Sequence, residues 1–523
     1  MADVDAQVGR IGKPEIPSTA IRSGKDAACP PLSIGFCLTI LTLMMLFTRV
    51  GYFNNPLTHV DDQFYLYTGK AMLGGDLPYV DIWDRKPIGL FLIYAGMVAL
   101  GGDSVIVYHL VAAAAALATS IAIFFLAKRF ASDSGALRAG IAYLALLPTM
   151  GGAGGQSPVF YNLLIAVAAL LTFAAMAPST RRWMRMAGAM ALVGLAIQIK
   201  PTTLFEGAFL ALVAMTYEWR DVRSIRRVAL LAAMMAGLAI APTVAAFATY
   251  AMLGHADEMW FATVASIFMR TPIPWADRFG DVPQMLFFLL IPALIAASAL
   301  ATRFKRHGRD AVTLFLAGWA VAAMIGFLSV PNFFNHYTLP LILPLCVIMA
   351  PLLGDRRDGM IFLVMAITVP IIFEFPSIHG IVHNREGFDR NAALIKRSLH
   401  GGCLYVFYGP TQFYSATNSC HLSPYVFPDH LETTVESSAL PVSPEAEVER
   451  IFRQRPTVVI TGKRYFLTRN LATGAIADRH LRCDYFPLRT MHIERGRTLE
   501  IWALKPGPRP PCPTIPLSQA VDG

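Results

Sequence analysis

Between residues 58 and 88 the chain reads THVDDQFYLYTGKAMLGGDLPYVDIWDRKPI, with five aspartates, one arginine and two lysines. Carboxylates and fixed cations in one stretch are the ingredients of group transfer. An acid takes the proton of an incoming hydroxyl, while cations hold an anionic leaving group.

Asp61 and Asp62 open a helical pattern, with Tyr65, Met72 and Leu73 at helical spacing and a Gly-Gly stop at 74 and 75. A carboxylate at a helix start also caps backbone N–H groups and meets the positive end of the dipole, so one of the pair is expected to cap. Neighbours on a helix point about 100° apart and cannot address one bond together as a glycosidase pair does. Asp61 is therefore expected to act, with Asp62 in support.

Asp84, Arg85 and Lys86 precede Pro87, which suits the first turn of a short helix over 87–101. Basic residues beside a membrane helix also meet lipid head groups. Further along, Lys200 sits in a turn between LVGLAIQI and PTTLFEGAFL, and Glu206 lies about one turn into the next apolar run. A carboxylate there is costly in lipid unless it is paired, for instance with Lys200, or faces a cavity. PNFFNHYTLPLILP (331–344) places His336 and Tyr337 at the mouth of another apolar run. Tyrosine is an ordinary interface anchor, and histidine is either a satisfied polar group or a proton carrier. The loop 253–281 mixes Trp260, Phe261, Phe268 and Trp275 with Arg270, as a surface helix or a lid over a lipid-fed cavity would.

The elements that must position these residues are membrane helices. Of 523 residues 55% are hydrophobic, and apolar runs recur along three quarters of the chain, too much for one soluble core. The net charge of +9 resides in short clusters between those runs, which speaks for orientation in a membrane and against nucleic acid. Spans of sufficient length are read near 33–52, 104–127, 136–151, 158–177, 185–200, 202–217, 228–252, 282–301, 311–330, 336–353 and 359–376. The run 87–101 reaches only about 22 Å as a helix, and counting it as a crossing would move every later basic cluster outside. It reads as a juxtamembrane or re-entrant helix.

The expected organisation is a disordered cytoplasmic tail (1–32), a membrane catalytic domain (33–376, first external loop 53–103) and an extracytoplasmic domain (377–523). In that last part CLYVFYG, TVVITG and LEIWALK have strand length and PEAEVERIFRQ reads as an amphipathic helix, so a small α/β domain is expected. Its four cysteines, Cys403, Cys420, Cys483 and Cys512, allow three pairings in an oxidising compartment. Cys403 with Cys420 is preferred because both flank one strand and turn. None has zinc-site spacing.

The order of a span, VDDQFYLYTGKAMLGGDLPYVDIWDRKP, GLAIQIKPTTL, NHYTLPLILP and a small external domain resembles the GT-C polyprenyl-phosphate-sugar glycosyltransferases. Lipid A aminoarabinose transferases, protein O-mannosyltransferases and the bacterial RgtA/B/C/D-like group are the members it is most similar to. An acidic pair opens the first external loop in that family, so the resemblance implies Asp61 as the catalytic acid, with Asp62 second and Tyr65 matching a tyrosine four residues on. The family's Lys-Pro-Pro segment binds the lipid phosphate. Lys86 and Pro87 match it, Ile88 replaces the second proline, and Arg85 stands where aminoarabinose transferases have an acid. Tyr337 matches a phosphate contact and Lys200 a lysine after a Gly-Leu-rich span, and Lys200 and Arg85 are grouped with the phosphate by charge. Asp84 and His336 complete the substrate side.

The resemblance implies an α-helical polytopic GT-C protein of about eleven spans in the inner (plasma) membrane, with its N-terminus cytoplasmic and its C-terminal domain periplasmic. Its expected activity is inverting transfer of a sugar from a polyprenyl phosphate to lipopolysaccharide, another glycan or a protein. No cofactor is expected, although relatives allow a divalent ion at Asp61 and Asp62. The competing readings are a flippase or transporter of lipid-linked sugar, which calls for an inverted repeat, and a non-catalytic glycan-assembly protein.

Overall fold

The computed structural model describes residues 32–102, 104–271, 282–330, 333–373, 376–463, 468–493 and 497–507. The expected tail before residue 32, Trp275 and Cys512 lie outside the described residues.

A helix stands at each expected span: Ile34–Arg49, Val105–Ala127, Asp133–Thr149, Ser157–Ala175, Arg182–Ile197, Thr203–Val222, Ile225–Met252, Val282–His307, Ala311–Leu328, Leu339–Leu353 and Arg356–Phe373. Seven, two of them extended by a flanking 3-10 turn, are long and apolar enough to cross a membrane. Asp133–Thr149 and Arg182–Ile197 are shorter, and Thr203–Val222 and Arg356–Phe373 carry several charged residues.

Local sequence starts several of these helices. The side chains of Ser33, Ser132 and Asp310 accept from backbone amides three residues on, which satisfies N–H groups that the helix leaves unpaired. Helix Asp133–Thr149 packs against Leu339–Leu353 so closely that a Cβ at Gly135 would stand 2.2 Å from the Ala350 carbonyl oxygen. Small residues are what permit such approach between membrane helices.

Helices Val60–Gly74 and Ile88–Gly101 pack on each other outside this bundle order. Gly69 makes their crossing possible, since a Cβ there would meet the backbone of Tyr94 and Ala95 at 2.6 to 3.0 Å. The first of the pair ends at Gly75, whose φ of 107° is a left-handed cap that favours glycine.

Beyond helix Pro376–Ser398 the chain forms a four-stranded sheet of β1 (Leu404–Val406), β2 (Val458–Lys463), β3 (Tyr485–Ile493) and β4 (Arg497–Leu504) in the order β1-β2-β4-β3. β1 runs parallel to β2, and β4 is antiparallel to both of its neighbours. β1, β2 and β4 coincide with the strand-length runs read from the sequence. β3 was not among them, because Pro487 interrupts its pattern and the register shifts between Pro487 and Arg489. Helix Pro444–Arg453 is the expected amphipathic one. Cys403 and Cys420 form a disulfide with Cα atoms 5.2 Å apart.

Candidate active site

The two acids at the start of helix Val60–Gly74 face different ways. Asp62 is fully buried, and its Oδ2 accepts from the Gly155 amide at 2.7 Å. Asp61 turns toward a cleft, where its Oδ2 accepts from Gln156 Nε2 at 3.0 Å. Neither makes the expected cap: the N-cap is His59, with no side-chain cap hydrogen bond.

The segment between residues 152 and 156 thus braces both carboxylates. Arg49, at the end of the first long helix, holds it from below by donating to the carbonyls of Ala153 at 2.9 Å and Gly152 at 2.5 Å. A Cβ at Gly154 would stand 2.1 Å from Asp62 Oδ2, so only glycine lets the segment pass this close.

Lys86 enters the same cleft. Its Nζ lies 4.0 Å from Asp61 Oδ1 and 3.4 Å from Asp84 Oδ2, and its backbone amide donates to Asp84 Oδ1 at 2.8 Å. The ammonium stands 5.0 Å from the centre of the Tyr65 ring and 6.0 Å from that of Phe427, within cation–π range. Tyr79 donates to its carbonyl at 2.9 Å.

Electrostatics separates the acids. Burial acts to raise the Asp61 pKa, but Lys86, His336 and the Gln156 hydrogen bond outweigh it and hold the carboxyl below its ordinary value. Asp62 is pushed well above its ordinary value by burial and by Asp61, against the pull of the Gly155 amide and Arg49. For Lys86, burial acts to lower the pKa, and Asp84 and Asp61 override it to keep the ammonium charged. Lys86 thus favours the ionised form of Asp61, while burial favours the protonated form of Asp62.

Lys200 places its Nζ 3.9 Å from the centre of the Tyr337 ring, and the His336 ring meets Tyr337 edge-on at 4.5 Å. Both Lys200 and His336 are within electrostatic reach of Asp61 and Lys86. Lys200 and Tyr337 line a cavity with Tyr161, Glu206, Phe327 and Val330. The expected pairing of Glu206 with Lys200 is not made. Glu206 accepts instead from the Trp319 indole at 2.7 Å, because its position on helix Thr203–Val222 faces Ala311–Leu328.

Arg85 is within electrostatic reach of Asp84 and Tyr337, and its close contacts are with the C-terminal part and Trp83. Its guanidinium pairs with Glu436 of the C-terminal part, the other oxygen of which takes Arg270, and it stacks 5.2 Å from the Trp83 ring. The same C-terminal stretch covers the first loop: the Trp83 backbone amide donates to the Pro424 carbonyl at 2.9 Å, Phe427 packs 5.1 Å from Phe64, and His430 Nε2 lies 3.9 Å from Asp84 Oδ2.

Gln156, Arg49, Asp429 and Glu436 were not singled out as site residues from the sequence. Each reaches the site across the fold, and a lone polar residue beside an apolar run gives no local signal of it. Among the described residues no three His, Cys, Asp or Glu side chains converge as a metal requires, and Asp61 and Asp62 diverge.

Residues 85–247 match the family model described as dolichyl-phosphate-mannose-protein mannosyltransferase. A sequence search of curated proteins finds no match. Among solved structures the chain is similar to ArnT from Cupriavidus metallidurans bound to undecaprenyl phosphate, at 15% identity and a TM-score of 0.60, over 90% of this chain and 98% of that one. The apo state of ArnT gives 16% identity and a TM-score of 0.58, over 89% and 98% of the two chains. With its apolar helices and this architecture, the chain is a multi-pass integral membrane protein with the fold of the GT-C glycosyltransferases.

Proposed function

We propose that the protein moves a sugar from a polyprenyl phosphate to an acceptor hydroxyl of a glycan, lipid or protein at the external face of the inner membrane, with Asp61 as the base. The observation that carries this reading is the shared cleft of Asp61 and Lys86, 4.0 Å apart, beside the Lys200–Tyr337 cavity. A carboxylate that stays ionised meets the Lys86 ammonium and Lys200, whose pKa burial and Lys86 lower to about 7 and which an incoming phosphate would hold charged.

In the reaction the acceptor oxygen attacks the anomeric carbon, its proton passes to Asp61, and the bond from that carbon to the phosphate oxygen breaks. A single displacement of this kind inverts the anomeric centre. The leaving phosphate gains charge as the bond breaks, so Lys86, Lys200 and the Tyr337 hydroxyl stabilise the transition state more than the ground state. Asp84 and Tyr65 position Lys86, and His336 tunes Asp61. Phe327 and Val330 give the cavity an apolar wall suited to an isoprenoid chain. A polyprenyl carrier is also what the ArnT structure of the same fold holds. Arg85 serves, with Arg270, to tie Glu436 and the C-terminal part to the first loop. On this reading residues 33–376 are the catalytic membrane domain and 377–523 an extracytoplasmic domain, with the N-terminal tail cytoplasmic.

Membranes carrying the wild type or Asp61→Asn, given labelled polyprenyl-phosphate sugars, test the proposal. Loss of general-base help lowers transfer by about 10² to 10⁴. Equal transfer by the two proteins would overturn the assignment of Asp61, and no transfer by the wild type from any such donor would overturn the function.

A further inference from the structure

The reading of the cleft as a sugar-transfer site leaves one acid unused. Asp429 opens the short helix Asp429–Glu432 in the C-terminal part, and the residues around it are both anchored on the first loop. Phe427 stands 6.0 Å from Lys86 Nζ, and His430 lies 3.9 Å from Asp84 Oδ2 and packs edge-on against Trp83 at 4.8 Å. Between these two anchored neighbours, the Asp429 carboxyl is within electrostatic reach of Asp61, Lys86 and Glu436. Among the described residues nothing hydrogen-bonds or ion-pairs with that carboxyl, although burial and the neighbouring acids push its pKa up to about 7. Asp429 is only partly buried, so water meets its oxygens in the empty protein, and a ligand that displaces that water must supply donors of its own.

Resting on the function proposed above, we infer that Asp429 is a specificity-determining residue that accepts hydrogen bonds from hydroxyls of the donor sugar. With the phosphate against Lys86 and the anomeric carbon beside Asp61, the ring must lie between those two residues, and Asp429 is an acid within electrostatic reach of both. Carboxylate oxygens suit vicinal hydroxyls because they accept two donors at once. A site built on such bonds rejects an epimer whose hydroxyl points elsewhere, since the carboxyl, cut off from water by the bound sugar, is then left unpaired. The C-terminal part would thus choose the sugar, while the membrane part performs the transfer.

The test uses the purified full-length chain as wild type, Asp429→Asn and Asp429→Ala, with undecaprenyl phosphate alone and with undecaprenyl-phosphate glucose, galactose and mannose. Both variants are expected to bind undecaprenyl phosphate as the wild type does. For the sugar the wild type prefers, donor kcat/KM falls roughly 10- to 100-fold, as loss of a hydrogen bond to a charged group implies, and the preference among epimers collapses. Matching melting temperatures for wild type and Asp429→Asn exclude misfolding. Unchanged donor kinetics and epimer preference overturn the inference while leaving the function standing. So does an effect confined to acceptor KM, which assigns Asp429 to the acceptor instead. A wild type that uses none of the sugar-bearing lipids overturns the function and this inference with it.

Discussion

Asp62 accepts from the Gly155 amide at 2.7 Å, one residue before the Gln156 side chain that donates to Asp61 at 3.0 Å. The two neighbouring acids are thus joined through a segment some ninety residues away, and their pKa values are moved in opposite directions. This makes their amide variants behave differently. Asn at position 62 keeps an acceptor for Gly155 and mimics the neutral acid, so Asp62→Asn should retain most of the transfer activity that Asp61→Asn loses. Asp62→Ala removes the acceptor and leaves a buried amide unpaired, at a cost of about 1–3 kcal/mol and a lower melting temperature. An Asp62→Asn protein as inactive as Asp61→Asn would show that Asp62 acts as an anion.

Lys86 has two effects that one variant separates. Lys86→Met deletes a cation that the proposed mechanism places on the phosphate, so donor kcat/KM should fall with acceptor KM little changed. It also removes the largest of the influences that hold the Asp61 pKa down, leaving burial to raise it. In the wild type Asp61 should stay ionised until the pH drops below the ordinary carboxylate value of about 3.9. The acid limb of the rate profile lies there, and it should move to higher pH in Lys86→Met. Profiles whose acid limbs coincide would separate Lys86 from Asp61 and sink the shared cleft.

Glu436 joins Arg85 and Arg270, so Glu436→Gln removes the carboxylate that bridges two largely buried guanidiniums. Breaking such a cluster costs on the order of 3 kcal/mol. Burial acts to raise the Glu436 pKa, but the two arginines hold it below its ordinary value. A depressed acid contributes stability above its unfolded pKa, about 4.3, and loses it as pH falls through the folded value. The gap in melting temperature between wild type and Glu436→Gln should therefore be wide at pH 7 and close below about pH 4. A gap that does not change with pH would mean that the variant acts through packing rather than charge.

The sequence made the helices readable because lipid imposes long apolar runs, and the first loop stood out because its charges contrast with them. Asp61 and Lys86 could be linked because they fall in one such loop. Gln156 and Glu436 could not, since they reach Asp61 and Arg85 across 95 and 351 residues and neither lies in a pattern of its own. Arg85 shows the limit from the other side. Its place beside Lys86 suggested the phosphate, whereas its ion pair with Glu436, 351 residues away, had no signal in the sequence. Glu206 was rightly marked as needing a partner, but whether that was Lys200 or an indole on a later helix depends on packing that spacing alone does not encode.

Glu432 lies four residues before Glu436, across the extended Thr433, and should respond to pH with the opposite sign. It is almost wholly buried, its Oε1 has no hydrogen-bond partner, and burial together with Asp429 pushes its pKa up to about 9 against the pull of Arg469. A raised acid keeps its proton in the folded protein at pH values where the unfolded chain has released it, so folding weakens as pH rises from about 4.3 toward 9. Glu432→Gln supplies the neutral shape at every pH. Its melting temperature should match the wild type near pH 4 and exceed it by a growing margin up to pH 9. A variant less stable than wild type at pH 8 would show that Glu432 is ionised in the fold and that Arg469 compensates it fully.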